Sequence, residues 1–389
     1  MKTGIIRITI FALGLFAVFS CNQGPIFFTI ANEPPPQEAL IKGTPTNMVV
    51  FKNRLYVASS RLYSYKDGSW QEESLKNVIA LAATSEHLYA VQLTERDGVK
   101  TALVRSANGT GGWTPISSVG DYSLIQSIYA DPDDPDKRVF AGARKDDPAS
   151  AAYAILYLDG TTLKLLKDDT TFLSGAVYHE DDSTYYLSTR GKGVFQIEKT
   201  ALGNSAPSEL PGSENRMVMG MIKLKYDDTQ SPPVSQQAII AVERDNPAHF
   251  YEVKGNEFKQ IGDQNLHVNG FATGALALWE HGSTRMLVAG RQAGLYANTT
   301  SSYIHGYVEF ELVFDGDGFF AGISSRIDPP VVSSNDKSYT STIGTKPINH
   351  LFQAPSNVDS SGRFFASTQN TGLWSYKNRD GEEQWNAEN

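Results

Sequence analysis

The stretch LYVASSRLYSYKDGSW, Leu55 to Trp70, decides the fold. Apolar and small residues alternate from Leu55 to Ser59, and a short polar turn leads into a second alternating run from Leu62 to Tyr65. This pattern predicts two β-strands joined by a tight turn. Lys66-Asp67-Gly68 supplies another turn, because glycine tolerates positive φ and aspartate bonds its own backbone. Trp70 then opens a third strand.

The same strand pair recurs six more times downstream. Each unit has an apolar strand before the pair, and every unit except the fourth has a clear, more polar strand after it. Successive units lie about 51 residues apart on average. Four antiparallel strands repeated seven times predict an all-β fold, a seven-bladed β-propeller of four-stranded antiparallel blades. The pairs begin at residues 55, 88, 139, 185, 238, 286 and 364.

The sixth unit is the least regular of the seven. We assign its third strand to GLYAN at residue 294 and its outer strand to VEFELVF at residue 308. Residues 314–347 then form a long insertion before the seventh unit, and loops of that length are usually functional or mobile. Shorter interruptions occur at residues 131–138 and 226–237.

The N-terminus indicates export. Lys2 and Arg7 precede an apolar run from Ile8 to Phe19 that is too short to span a bilayer comfortably, which is typical of a secretory signal. Cys21, the single cysteine of the chain, follows directly. The alternatives are an uncleaved signal anchor, or a cleaved protein with an idle cysteine.

Val18-Phe19-Ser20-Cys21 resembles the lipobox of bacterial lipoproteins, although Phe19 departs from the small residue usual at its position. The resemblance implies that Cys21 becomes lipidated and forms the new N-terminus, and two or three palmitate-type acyl chains anchor a protein stably. The expected location is the cell envelope, outside the cytoplasm.

Three segments follow from these assignments. Residues 1–20 form a lipoprotein signal peptide, and residues 21–44 form a lipidated, proline-rich tether. Within the tether, Pro25 to Asn32 has strand character and could add a strand to the body. Residues 45–389 form the propeller, with the insertion at 314–347.

The charge balance excludes some partners. The net charge is −9, and removal of Lys2 and Arg7 with the signal peptide makes the mature chain more acidic. Neither nucleic acid nor an anionic membrane surface is therefore an expected partner. With a single cysteine, no intrachain disulfide supports the fold.

Two stretches carry a resemblance to a known family. IYADPDDPDKRVFAGA, Ile128 to Ala143, resembles the inner-strand, turn and second-strand segment of sialidase-like propellers with Asp-box repeats. RSANGTGGWTPIS, Arg105 to Ser117, resembles a degenerate Asp-box in which Asn108 replaces the aspartate. In that family the Asp-box is a structural turn between the third and fourth strands, so the resemblance implies the fold rather than a chemistry.

Arginine follows the second strand in five units, and the predicted strand directions place all five residues on one face around the channel mouth. Guanidinium groups bind carboxylate or phosphate through paired N–H donors. We therefore interpret them as candidates for binding an anionic ligand: Arg61, Arg144, Arg190, Arg244 and Arg291.

The alternative interpretation is that each arginine braces its own turn by pairing with a nearby acid. The acids available for this are Asp67, Asp146, Asp147, Glu243 and Asp245.

No other motif predicts a cofactor or a metal. The acid-rich turns Asp131–Asp136 and Asp315–Gly318 lack the ligand spacing of a calcium loop, and the seven histidines lack zinc-site spacing. The sequence also has no GxSxG motif and no glycine-rich phosphate loop.

The function predicted from these features is a lipid-anchored binding module for an envelope protein or for an anionic ligand such as an acidic glycan. One alternative is a glycosidase or lyase that acts on acidic sugars, in which some of the arginines hold the substrate carboxylate. Another is a structural assembly scaffold. The catalytic residues of the enzyme alternative stay unassigned, because a propeller brings distant loops together and sequence spacing does not report it.

Overall fold

The computed structural model describes residues 39–95, 100–117, 121–122, 124–146, 152–227, 234–281, 284–292, 296–297, 302–303, 306–328, 343, 346–379 and 382–388. The predicted signal peptide, Cys21 and the predicted strand Pro25 to Asn32 lie outside these ranges. Within the described ranges, no helix has the length and apolar character needed to cross a bilayer.

Seven four-stranded sheets make up the body, and in each the strands pair antiparallel in chain order. We number these sheets blades 1 to 7 and call their strands inner, second, third and outer. The inner strands are Met48–Phe51, Val78–Ala83, Leu124–Ala130, Leu173–His179, Val218–Asp227, Ala272–His281 and Ile348–Gln353. The second strands are Arg54–Ser59, Leu88–Glu95, Val139–Arg144, Thr184–Thr189, Ser235–Glu243, Thr284–Arg291 and Phe364–Thr368.

The two remaining strands of each blade complete the sheet toward the rim. The third strands are Arg61–Lys66, Lys100–Ser106, Tyr153–Asp159, Gly193–Glu198, Phe250–Lys254, Tyr307–Phe314 and Gly372–Arg379. The outer strands are Ser69–Lys76, Thr114–Ile116, Thr162–Thr170, Ser208–Glu209, Glu257–Ile261, Phe320–Ile327 and Glu382–Ala387. Blade 4 has the two-residue outer strand, which explains why the sequence of that unit shows no clear fourth strand.

The hydrophobic core is divided among the interfaces between blades. Each of seven clusters combines buried residues of two neighbouring blades. One of them joins blade 1 to blade 7 by packing Leu55 and Tyr65 against Val358 and Phe365. Every blade thus packs against two others, and the ring is closed. The prediction of a seven-bladed propeller is confirmed.

The segment before blade 1 fastens the ring to blade 7. Leu40 N–H donates to the Glu388 carbonyl at 2.6 Å, and Leu373 N–H donates to the Ile41 carbonyl at 3.2 Å. The Glu388 side chain is almost fully buried and accepts a hydrogen bond from Trp70 Nε1 of blade 1 at 2.7 Å. The two ends of the described chain therefore meet at the boundary between the first and last blades.

The strand assignment within the sixth unit was wrong. The third strand is Tyr307–Phe314, which pairs directly with the second strand at Val288–Glu309 and Leu287–Phe310. The predicted outer strand VEFELVF is therefore an interior strand, which agrees with the complete burial of Val308 and Phe310.

The outer strand of blade 6, Phe320–Ile327, lies inside the predicted insertion of residues 314–347. The long connection to blade 7 accordingly starts after Ile327. The prediction failed because the connection between the second and third strands is longer in this blade than in the others, and it contains a small hairpin, Tyr296–Ala297 with Ser302–Tyr303.

Candidate functional site

A cavity of about 800 Å³ occupies the centre of the ring. We call it the channel. It is lined by inner-strand residues of all seven blades, among them Met48, Ala80, Ser174, Met221 and His350. Its mouth lies where the inner strands begin and the second strands end, because Arg190, Gln292 and Gln369 directly follow second strands of blades 4, 6 and 7.

A β-bulge near the start of the inner strand shapes the channel wall. The register between inner and second strand shifts at this point in blades 2 to 7. In blade 1, Thr46 and Asn47 both bond to Ala58, which is the same two-against-one arrangement. A bulge leaves an extra residue unpaired and turns its side chain. The extra residues that line the channel are Ile79, Gln126, Ser174, Met219, Thr273, Gly274 and Asn349.

The inner strands of blades 5 and 6 approach closely at their bulges. A Cβ atom on Gly220 would lie 2.4 Å from the Gly274 carbonyl oxygen, and one on Gly274 would lie 2.2 Å from the Met219 carbonyl oxygen. A side chain at either position would therefore push the two strands apart. Gly175 stands at the same point of blade 4. A glycine near the start of the inner strand in three blades is therefore the sequence feature from which the bulges could have been predicted.

The charge of the channel wall is positive. None of the described residues that line it is acidic, and Arg190 is the one arginine or lysine among them. Its guanidinium carbon lies 4.4 Å from the centroid of the Phe172 ring, and its Nε is buried without a hydrogen-bond acceptor. Burial lowers the pKa of Arg190, the nearby Tyr129 hydroxyl partly offsets this, and the charge of Arg244 lowers the pKa further. An anion at the mouth would offset both lowering effects, because an opposite charge favours the charged form of the arginine.

On the opposite side of the ring, blade 7 presents two polar groups without partners. Asn349 Nδ2 and His350 Nδ1 are buried and make no hydrogen bond. Burial lowers the pKa of His350 to about 4, so the ring is uncharged at neutral pH. A buried polar atom left unpaired costs about 1–3 kcal/mol.

Two of the five predicted arginines have carboxylate partners. Arg61, at the start of a third strand, pairs with Glu72 on the outer strand of its own blade. Arg291 is fully buried and pairs with Asp328, which it shares with Arg326. These two therefore resemble the braces of the alternative interpretation, although their partners are not the acids that it named.

The other two predicted arginines lie on the same face without a described carboxylate contact. Arg144 ends the second strand of blade 3 and is outside the channel lining. Arg244 lies at the surface, with Nη1 3.6 Å from Met217 Sδ and its guanidinium carbon 5.4 Å from the Phe271 ring centroid. Met217 and Phe271 are themselves exposed. Arg190 and Arg244 thus belong to one surface of arginine, aromatic and apolar groups on blades 4 to 6.

The acid-rich turn Asp131–Asp136 connects blades instead of collecting cations. Asp131 accepts hydrogen bonds from Lys223 Nζ of blade 5 at 2.7 and 2.8 Å. Asp134 is buried and accepts from Arg138 N–H at 2.7 Å and from the Tyr185 hydroxyl at 3.1 Å. In the described part of the chain, no group of three or more His, Cys, Asp or Glu side chains could hold a metal ion.

The turn that resembles an Asp-box connects the third and outer strands of blade 2. Asn108 Oδ1 accepts hydrogen bonds from the N–H groups of Thr110 at 3.2 Å and Gly111 at 3.1 Å. The Ser106 hydroxyl oxygen accepts from Gly109 N–H at 3.0 Å. The side chains therefore close the turn locally, away from the channel.

Comparison with known proteins supports the fold, but it identifies neither a family nor a ligand. No protein-family model matches the chain, and no curated protein matches it. Among solved structures, the WD40 β-propeller domain of Doa1 is similar with a TM-score of 0.51 at 11% identity, covering 89% of this chain and 98% of that one. The computationally designed protein Ika8 matches with a TM-score of 0.45 at 10% identity, covering 87% and 99%. At such identities, the likeness to Doa1 shows a propeller fold alone.

Proposed function

We propose that this protein is a binding module that takes an anionic ligand at the channel mouth, with Arg190 as the main contact and Arg244 as a second one. The observation that carries the proposal is the state of Arg190: a partly buried arginine, without a described carboxylate partner, on a channel wall whose described residues include no acid. A charge that is desolvated without a counter-ion costs stability, so a folded protein that keeps one often uses it for binding.

We propose that the protein binds its ligand in the cell envelope. We propose that Cys21 is lipidated and anchors the propeller outside the cytoplasm, on the strength of the lipobox-like sequence Val18 to Cys21 and the apolar run before it. We also propose a distant relationship to sialidase-like propellers with Asp-box repeats, which the Ser106–Asn108 turn supports.

The anchor is tested with Cys21→Ala. The unaltered protein should partition into a detergent phase and incorporate labelled palmitate in a bacterial host, whereas the variant should do neither. A variant that partitions like the unaltered protein would refute the lipid anchor.

The ligand site is tested by titration calorimetry with glucuronate, sialate and inorganic phosphate. At least one of these probes should bind, and Arg190→Ala should weaken its binding by about tenfold or more, because hydrogen bonds to a charged group are worth about 1.5–3 kcal/mol. Arg105→Ala is the matched control, since Arg105 donates to the Gly160 carbonyl outside the channel. Equal affinities of unaltered protein and Arg190→Ala would refute the site.

A further inference from the structure

The channel wall combines carboxamides with apolar groups. Gln126 lines it from blade 3, Gln292 from blade 6, and Asn349 and Gln369 from blade 7. A carboxamide presents an N–H donor and a carbonyl acceptor in one plane, and a peptide group presents the same pair. These side chains can therefore form paired hydrogen bonds with the backbone of an extended peptide.

The apolar part of the wall fits the side chains of such a peptide. Ile79, Met219, Met221 and Leu276 line the channel between the polar positions. Methionine adapts its shape to different apolar partners, which suits a site that must accept varied side chains. The cavity of about 800 Å³ also lies within the usual range of about 300–1,000 Å³ for ligand sites.

A sugar ligand is less well matched to the same wall. Sugar rings bind best where their C–H faces lie flat on an exposed aromatic ring. The Phe172 ring lies at the channel mouth, but the Arg190 guanidinium covers it, with 4.4 Å between the guanidinium carbon and the ring centroid. Tyr129 is one further aromatic ring in the described wall, against the four carboxamides of blades 3, 6 and 7, and this balance favours a peptide over a sugar.

From this combination we infer that the channel mouth receives the carboxyl-terminal end of a polypeptide. The terminal carboxylate lies on the Arg190 guanidinium, and the last peptide groups pair with carboxamides of the wall, above all the exposed Gln292 and Gln369. This inference rests on the proposed function, because it assigns the anionic ligand of the same site. The protein then recognises the free C-termini of proteins in the envelope.

The test uses a peptide array of varied hexapeptides, each spotted once with a free C-terminal carboxylate and once as the C-terminal amide. Bound peptides are then titrated in solution by fluorescence anisotropy. The free acids should bind at least about tenfold more tightly than their amides, because amidation removes the charge that meets Arg190. Arg190→Ala should abolish this difference, and Gln369→Ala should weaken binding of the free acids. Arg105→Ala should bind like the unaltered protein.

The outcomes separate the two proposals. If glucuronate, sialate or phosphate binds through Arg190 but no hexapeptide does, the inference fails while the proposed function stands. Equal binding of acids and amides would also overturn the inference. If neither the small anions nor the peptides depend on Arg190, both fail. Circular dichroism of each variant shows that it is folded, and Arg190→Lys, which keeps the charge, should retain part of the preference for the free acids.

Discussion

The guanidinium group of Arg190 packs on the ring of Phe172, with 4.4 Å between the guanidinium carbon and the ring centroid. Arg216 makes the same kind of contact with Tyr251, at 4.8 Å. The two arginines differ in their counter-ions. Arg216 Nη1 donates to buried Glu243 at 2.8 Å, whereas Arg190 has no described carboxylate partner and a buried, unpaired Nε. Arg216 is part of the structural framework, and Arg190 is the arginine that we propose binds the ligand.

This difference predicts opposite effects on stability. Arg190→Met should leave the free energy of unfolding within about 0.5 kcal/mol of the unaltered value, or raise it, because it removes an uncompensated desolvated charge. Arg216→Met is the control and should lower it by about 2 kcal/mol, because the buried Glu243 loses its cation but still accepts the hydrogen bond of the Tyr251 hydroxyl. Urea unfolding followed by tryptophan fluorescence measures both. A large loss with Arg190→Met would show that this arginine is a structural brace.

Ring closure depends on Glu388. Its carboxylate accepts hydrogen bonds from Trp70 Nε1 at 2.7 Å and from Lys377 Nζ at 3.0 Å, and its side chain is 3% exposed. Glu388→Gln should lower the free energy of unfolding by about 3 kcal/mol, because it removes one partner of a buried ion pair. The exposed pair of Glu95 with Lys100 provides the control, and Glu95→Gln should change stability by less than about 0.5 kcal/mol. Urea unfolding measures both variants, and equal losses of unfolding free energy would argue against a role of Glu388 in closing the ring.

The close approach of the inner strands at Gly220 predicts a steric effect. Gly220→Ala places a Cβ 2.4 Å from the Gly274 carbonyl oxygen and should cost about 2–3 kcal/mol. Gly316→Ala is the matched control, because its Cβ would meet nothing within 4 Å, and we expect a change within about 0.5 kcal/mol. Thermal unfolding of both variants gives the comparison. If Gly220→Ala were as stable as Gly316→Ala, the bulges would be wider than described.

The blade 3 turn predicts acid sensitivity. Burial raises the pKa of Asp133, but hydrogen bonds and charges of Lys225 and Lys223 outweigh burial and hold it below its ordinary value. A carboxyl whose pKa is depressed by folding contributes stability at neutral pH and loses it as the pH falls from about 5 through its folded pKa. Asp133→Asn should therefore be less stable at pH 7 and lose less stability on acidification. Urea unfolding between pH 7 and 3 gives the free energy of unfolding of both proteins as a function of pH. If both lost the same stability on acidification, the ion pairs of Asp133 would not contribute as described.

The sequence was sufficient for the architecture because propeller blades repeat. Alternation of apolar residues, turn residues at fixed points and the spacing of about 51 residues predicted seven units, and the structure has them. The strand assignment failed in blade 6. The connection between its second and third strands is long, and we therefore took the buried third strand Tyr307–Phe314 for the outer strand. The position of this strand in the blade was misjudged because its burial depends on packing against neighbouring blades, which the local sequence pattern does not show.

The candidate site was only partly predictable. Proximity to the second strand identified Arg190, but the same rule also selected Arg61 and Arg291. Arg61 has its carboxylate partner on the outer strand of the same blade, and Arg291 has its partner after the outer strand of blade 6. Asn349 and His350 were missed, because the bulge that turns Asn349 toward the channel arises from pairing with the second strand, and sequence order does not show it. Which arginine lacks a counter-ion is decided by tertiary packing.

The central claim is that the guanidinium group of Arg190 receives an anion at the channel mouth. Its N–H signal can be assigned in a proton–nitrogen NMR spectrum as the arginine Nε peak that is absent from Arg190→Ala, and then followed while acetate and inorganic phosphate are titrated in. The account predicts that this peak shifts saturably with at least one probe, while the Arg105 signal stays in place. An Arg190 peak that does not move in either titration would contradict it.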